Sequence, residues 1–177
     1  MRTYDKINNQ KIALSGHSLG AEPAMVLAIL NPDVVGLVYS DYLPRLIKEA
    51  AVRTMPNDSG VRPQANWLGH SVPGLWKWMD YPDMLASLAP RPLMINEGGV
   101  SADLEMIKNA YKTMSASQNI EVHYYPKYSD ASSRMDNREV PGGLNFEEYY
   151  KYANVDAPNH YFKYEIAVPW LSKVLLK

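Results

Sequence analysis

The sequence contains no cysteine, which excludes disulfide bonds, thiolate metal sites and a cysteine nucleophile. It also has no signal-peptide core after Met1 and no apolar run long enough to span a membrane. We therefore expect no membrane partner and, for the chain as written, no export. The lack of disulfides fits the cytoplasm and the periplasm equally, so localisation stays open, and a secreted or periplasmic parent protein is compatible with it.

An excess of basic residues is absent as well. The chain carries 18 Lys and Arg against 19 Asp and Glu, and no basic run is interleaved with aromatic residues. This balance argues against a nucleic-acid partner. With 177 residues, 46% of them hydrophobic, the chain has the size of about one domain with a real core. Nothing in it implies a metal or an organic cofactor.

The most informative motif is Gly16-His17-Ser18-Leu19-Gly20. It follows a strand-like run, 11–15, and opens a helix-like run, 21–30. A serine on such a tight strand-to-helix turn is a candidate nucleophile elbow, whose flanking glycines avoid clashes that a Cβ would cause. Position alone does not activate the serine, because a histidine must take its proton and an acid must orient that histidine.

Further along, strand and helix patterns alternate. The clearest examples are the β-branched run 34–39 and the amphipathic helix 103–117, whose apolar residues recur every three to four positions. Such alternation indicates a parallel sheet with helices on both faces. The predicted strands are 34–39, 92–96 and 120–125, and the predicted helices are 103–117 and the amphipathic stretch 162–175, which Pro169 is expected to bend or restart.

Two segments interrupt this rhythm, a cap-like insertion at 41–82 and a second insertion at 129–158. Both leave the carboxyl ends of predicted strands, where open α/β sheets bind ligands. The first carries the candidate substrate-binding residues Trp67, His70, Trp76 and Trp78. Packing of the tryptophans within a small cap is an equally good interpretation, and a surface role is favoured for His70.

These motifs resemble the C-terminal part of an α/β-hydrolase, and within it the acetyl xylan esterase-like branch related to dienelactone hydrolases. The residues that carry the resemblance are Gly16 to Gly20, Leu88-Ala89-Pro90-Arg91-Pro92-Leu93-Met94-Ile95, and Asn159-His160-Tyr161-Phe162. The resemblance implies one partial domain over 1–177, with about four parallel strands flanked by helices and an inserted cap-like segment. It also implies a catalytic serine, acid and histidine in that order along the chain.

Ser18 is then the nucleophile and His160 the base, because the resemblance places the catalytic imidazole just before the last helix. His17 is expected to point away from the serine and to pack, and His123 to be structural. The acid is open among three candidates. Asp103 is preferred, although the family's aspartate position is occupied here by Ser101; Glu97 is the second choice and Asp41 the third.

The family's sheet has several strands before the elbow, and a loop among them supplies one oxyanion donor; the other is the amide of Leu19. We therefore expect the chain to be a fragment of a larger esterase. The elbow strand should lie at or near a sheet edge, and that exposed edge should favour oligomerisation. An isolated fragment is expected to be close to inactive, since a missing oxyanion donor costs about a hundred- to a thousandfold in turnover.

The predicted activity is hydrolysis of a small-molecule or carbohydrate ester through an acyl-enzyme, most simply removal of acyl groups from a carbohydrate. Two alternatives stay open. One is a serine peptidase of the prolyl oligopeptidase kind, which shares the elbow and the triad order. The other is a non-catalytic module with a hydrolase fold.

Overall fold

A four-stranded sheet forms the centre of this computed structural model, which describes residues 8, 10–54, 72, 74–135, 141 and 144–176. The strands are parallel and adjacent in chain order, so that β1 lies at an edge and pairs with β2. The expectation of four parallel strands with the elbow strand at the edge is confirmed. The strands are β1 Ile12–His17, β2 Val34–Ser40, β3 Leu93–Ile95 and β4 Ile120–Val122.

The described part of the chain contains six α-helices, of which the first, the fourth and the last lie where the sequence pattern predicts helices, while the other three lie in, or at the end of, the segments predicted as insertions. Their bounds are α1 Ala21–Leu30, α2 Leu46–Thr54, α3 Tyr81–Ala86, α4 Ser101–Thr113, α5 Phe146–Tyr152 and α6 Tyr164–Leu175. Pro169 lies inside α6, and the helix runs through it without a restart. None of the helices in the described part is long and apolar enough to cross a membrane.

Alternation along the strands gives the sheet two buried faces. Leu37 and Ile95 point to the face covered by α1, α3 and α4, whose buried side chains join them in one core cluster. Val38 and Met94 point to the opposite face, where Ala167 and Trp170 of α6 cover them. Helices on both faces of a parallel sheet make this an α/β fold, as predicted.

A third cluster, rich in tyrosine, lies beyond the carboxyl ends of the strands. Its buried members are Tyr42, Val52, Tyr125, Tyr128, Tyr149, Ala153 and Val155. It joins α2, from the first predicted insertion, to α5, from the second. Predicted strand 120–125 ends instead at Val122, because Tyr125 leaves the sheet to enter this cluster. The extents of the two insertions stay predictions, since 55–71 and 136–140 lie outside the described residues.

Candidate active site

The turn after β1 has the backbone of a strained elbow. Ser18 has a φ of 51°, a left-handed conformation that is unusual for a residue with a side chain. A Cβ on Gly16 would come within 2.1 Å of the carbonyl oxygen of Gly20, whereas a Cβ on Gly20 would meet nothing within 4 Å. The turn therefore requires glycine at 16 and not at 20, so the steric argument from the sequence holds for the first glycine alone. Strain of this kind concentrates at functional sites.

Glu97 is the second residue after β3 and is completely buried. The chain turns directly after it through Gly98, with a φ of 70°, and Gly99, with a φ of 145°. Only glycine adopts such angles readily, and a Cβ on Gly98 would also approach the ring of Tyr124 to 2.6 Å. The glycine pair thus lets the chain reverse direction while the Glu97 side chain stays at the carboxyl ends of the strands.

His160 lies against this carboxylate. Its Nδ1 atom is 2.6 Å from Oε2 of Glu97, and the hydroxyl of Tyr125 donates to the same oxygen at 2.9 Å. A carboxylate can only accept, so Nδ1 carries the proton in this pair and the lone pair of the neutral ring is on Nε2. A histidine in this tautomer can take a proton from a hydroxyl group. The arrangement is that of an oriented general base.

Electrostatics support the same assignment. The hydrogen bond to Glu97 raises the pKa of His160 above its ordinary value, despite partial burial that opposes the protonated form. Burial raises the pKa of the Tyr125 hydroxyl well above its usual range, with the nearby Glu97 adding to the effect, so that this group stays a donor. The carboxylate therefore stabilises an imidazolium that would form during proton transfer.

His17 does not simply pack, contrary to expectation. Its ring centroid is 4.6 Å from that of His160, and its Nε2 atom is 3.6 Å from Oε1 of Glu97. Burial lowers the pKa of His17 below its ordinary value, partly offset by Glu97. Lys163 is also near, with Nζ 3.8 Å from the same oxygen. The elbow and the acid are thus joined at one cluster of side chains.

Asp103, the preferred acid in the sequence analysis, does not reach His160. It is buried in the first turn of α4, and both its oxygens are bound by Arg45: Nε donates to Oδ2 at 3.0 Å, and the second guanidinium nitrogen donates to Oδ1. The ion pair holds the carboxylate against Arg45 instead of the imidazole. The expectation that Asp103, and not Glu97, contacts His160 is therefore wrong.

Asp41 directly follows β2, at the carboxyl end of that strand, and is buried. Its Oδ1 atom accepts the backbone N–H of Tyr42 at 2.9 Å. Burial raises the pKa of Asp41 to about 8, and Glu49 and Glu97 act in the same direction. The protonated form is neutral and provides no charge to orient an imidazolium. The geometry gives Glu97 that position.

The predicted substrate-binding residues, Leu19 and His123 are the remaining residues singled out from the sequence. Trp67 and His70 lie outside the described residues. Trp76 and Trp78 are 37% and 87% exposed. Leu19, whose amide is the expected oxyanion donor, has a side chain that is 66% exposed. His123 lies just beyond β4, where its Nε2 atom pairs with Glu121 at 2.6 Å.

An apolar groove of about 470 Å³ lies beside the first insertion. It is lined by the second half of α1, by Leu75 and Met79, and by Met84 of α3. The groove is not lined by any residue of the His160 cluster, which consists of His17, Glu97, His160 and Lys163. The groove is therefore separate from the candidate catalytic groups.

Comparisons with known proteins agree with this architecture. A family model described as the Abhydrolase family matches residues 1–173. A crystal structure from Bacteroides fragilis, described as a "putative acetyl xylan esterase", superposes with a TM-score of 0.88 at 41% sequence identity. The match covers 99% of this chain and 45% of that protein, so the chain spans less than half of the other's length. No functionally curated protein matches in sequence.

Proposed function

Since the chain belongs to the Abhydrolase family of α/β-hydrolases, we propose that it supplies the catalytic serine, acid and histidine of a carboxylic ester hydrolase. The observation that carries the proposal is the hydrogen bond of 2.6 Å between His160 and Glu97, beside an elbow whose serine has a left-handed backbone. In this assignment Ser18 is the nucleophile, His160 the base and Glu97 the acid. Their order along the chain is the order of the fold.

The reaction proceeds in two displacements. Nε2 of His160 takes the proton of the Ser18 hydroxyl as the serine oxygen attacks the ester carbonyl carbon, and the carbonyl electrons move onto its oxygen. The amide of Leu19 donates to that oxyanion. The intermediate collapses, the bond to the alcohol oxygen breaks, and the alcohol leaves with the proton from His160. Water then repeats the sequence on the acyl-serine and releases the carboxylic acid.

Glu97 and Tyr125 make the base effective in this scheme. Glu97 fixes the tautomer with the proton on Nδ1, and its charge favours the imidazolium formed in each step. The Tyr125 hydroxyl, 2.9 Å from the same oxygen, limits rotation of the carboxylate. The acid belongs at Glu97 because the bond to His160 already exists there, while Asp103 is bound to Arg45.

We place the substrate among acyl esters of carbohydrates. Two observations support this class: the description of the similar B. fragilis protein as an acetyl xylan esterase, and the exposed rings of Trp76 and Trp78 in the first insertion. Aromatic rings offer flat apolar surfaces to ligands. A peptidase activity and a purely non-catalytic module are the outcomes that the experiment must separate from this proposal.

The test uses the natural protein that contains this sequence. Ser18→Ala should abolish labelling by a fluorophosphonate and lower turnover of nitrophenyl acetate and acetylated xylan at least about a thousandfold, since the nucleophile is lost. Ser115→Ala is the matched control, because Ser115 also has a left-handed backbone, with a φ of 54°, but lies after α4. It should label and turn over as the wild type does.

Three results would count against the proposal. Equal labelling of Ser18→Ala and wild type would remove Ser18 as the nucleophile. Cleavage of a peptide anilide in preference to both esters would assign a peptidase. A folded wild-type protein that neither labels nor hydrolyses any of these substrates would favour the non-catalytic module.

A further inference from the structure

Two buried polar atoms of the His160 cluster face each other without a hydrogen bond. Nε2 of His17 and Oε1 of Glu97 are 3.6 Å apart, and neither has a hydrogen-bond partner among the described residues. A separation of 3.6 Å is too long for a side-chain hydrogen bond. Buried polar atoms are nearly always satisfied, so a pair left open in this way requires an explanation.

A third potential ligand completes the arrangement. One atom each from His17, Glu97 and His160 can be chosen so that all three lie within 4.8 Å of one another. We propose that these three side chains form a binding site for a divalent transition-metal ion, with Zn²⁺ the best match, and that the bound metal holds the enzyme in an inactive state. The claim of inhibition rests on the proposed function, whereas the claim of metal binding does not.

The donor set fits this class of ion. Two imidazoles and one glutamate, with a fourth position open, is a ligand set that proteins use for Zn²⁺. Ligand atoms about 2.0–2.1 Å from a tetrahedral zinc are about 3.3 Å from each other. The observed 3.6 Å between His17 and Glu97 is close to that spacing, so this pair needs little movement.

The three ligands come from separate parts of the fold. His17 ends β1, Glu97 follows β3, and His160 follows a short turn at Ala157–Asn159. Strands β1 and β3, on either side of β2, hold two of the ligands in place, and the ring centroids of the two histidines are 4.6 Å apart. To bind the metal, the hydrogen bond of 2.6 Å between His160 and Glu97 must open to about the ligand spacing.

Lys163 opposes the metal. Its ammonium group is 3.8 Å from Oε1 of Glu97 and is also hydrogen bonded to the carbonyl of Asn159. A bound cation would be repelled by this charge and would compete with it for the carboxylate. Lys163 should therefore weaken binding, and its removal should strengthen it. Loss of a ligand and loss of Lys163 should therefore change the metal affinity in opposite directions.

Inhibition follows from the chemistry of the imidazole. In the free site the proton of His160 is on Nδ1, and Nε2 accepts the proton of Ser18. When a metal binds Nδ1, the Nδ1 proton leaves to solvent and the neutral ring carries its one proton on Nε2 instead. Nε2 then has no lone pair to accept a proton, so the base is blocked while the metal stays bound.

The experiment measures metal binding apart from activity. Zn²⁺ is titrated calorimetrically into the natural protein and into its Ser18→Ala variant, and Co²⁺ is used as a probe whose visible absorption reports tetrahedral coordination. We expect one ion bound per chain at this site in both proteins. In the wild type, Zn²⁺ should also inhibit ester hydrolysis, and a chelator should restore it.

Variants then identify the ligands. His17→Phe keeps a ring at this position but removes the ligand atom, and it should weaken binding at least tenfold. Glu97→Gln should do the same, and serves as the second variant if His17→Phe does not fold. Lys163→Gln should tighten binding at least threefold. His123→Phe removes the histidine of another His–Glu pair and should leave the affinity of the site unchanged.

Equal Zn²⁺ affinity of folded His17→Phe and His123→Phe would overturn the proposal, as would weaker binding in Lys163→Gln. Metal binding with the expected variant pattern, together with a folded wild-type protein that shows no esterase activity, would support the site and reject the proposed function. Esterase activity without metal binding would do the reverse.

Discussion

Glu97 and Asp103 are two acidic residues close in sequence, both buried near the carboxyl end of β3, with different partners. Glu97 binds an imidazole and a tyrosine hydroxyl, and its carboxylate is surrounded by His17, His160 and Lys163. Asp103 binds a single guanidinium, whose own side chain is 41% exposed. One carboxylate lies among groups that can exchange protons, whereas the other meets a group that stays charged at every physiological pH.

The difference indicates separate roles for two residues of similar chemistry. An imidazole changes its charge near neutral pH, so its partner can influence a reaction. An arginine does not, so its pair can only position and stabilise. Asp103 also lies in the first turn of α4, where a negative charge complements the positive end of the helix. Under the proposed function, the Arg45–Asp103 pair is structural and the His160–Glu97 pair is catalytic.

The largest expected difference between the two carboxylates is in turnover, and neutralising each acid in turn measures it. Glu97→Gln should lower ester turnover about a thousandfold, because the charge that orients His160 and stabilises its protonated form is lost. Asp103→Asn should keep turnover within about threefold, once it is normalised to folded protein by circular dichroism. A comparable loss in both variants, with both folded, would contradict the assignment of the acid.

The second prediction concerns stability: removing Arg45 should destabilise the protein more than neutralising Asp103 does. Arg45→Met leaves the buried carboxylate of Asp103 without its partner, which should cost about 3 kcal/mol of unfolding free energy. Asp103→Asn leaves an arginine that is partly exposed and can turn to water, so we expect a loss of about 1 kcal/mol. Urea denaturation measures both. Equal losses, or a larger loss for Asp103→Asn, would argue that the pair is not buried on the aspartate side.

Much of the fold could be predicted because its signals are local. The alternation of strand-like and helical patterns predicted the four parallel strands and α1, and the glycines around Ser18 predicted the elbow. Gly16 illustrates why: the clash with the carbonyl of Gly20 lies within the motif itself, so the sequence contains both partners of the interaction.

The carboxylate that contacts His160 could not be identified from the sequence, because the partners of both carboxylates are distant in sequence. His160 lies 63 residues from Glu97, and Arg45 lies 58 residues from Asp103. Asp103 was preferred although Ser101 occupies the position where the family has its aspartate, and the turn at Gly98 and Gly99 directs the chain so that Glu97 stays at the strand end. That glycine pair, directly after an acidic residue, was the signal that could have placed Glu97 first.

His17 was missed for a related reason. In sequence it appears as one variable position of the elbow motif, and its neighbours in the motif are Gly16 and Ser18. Its contacts with Glu97 and His160 arise only when β1 and β3 lie on either side of β2 in the sheet. A histidine in this position could not be distinguished from a packing residue until the strand order was known.

Asp41 is the third acid at this edge, and the last prediction concerns its protonation. Its folded-state pKa of about 8 lies above the ordinary value of 3.8, with burial as the main cause. Between these two values the unfolded chain releases the proton while the folded chain retains it, so Asp41 makes the protein less stable as pH rises.

Asp41→Asn keeps an oxygen to accept the N–H of Tyr42 but cannot ionise. The stability of the variant relative to wild type should therefore increase with pH. The limiting slope for one group is ~1.4 kcal/mol per pH unit, and we expect about 1 kcal/mol of relative gain between pH 5 and pH 7 because the site can relax around the charge. Urea denaturation of both proteins at the two pH values measures it, with Asp130→Asn as the exposed control that should show no such gain. A difference that is flat with pH, or that falls, would mean that Asp41 is ionised in the folded protein. The edge would then carry two adjacent negative charges, and Asp41 would join Glu97 in stabilising the imidazolium that forms when His160 takes a proton.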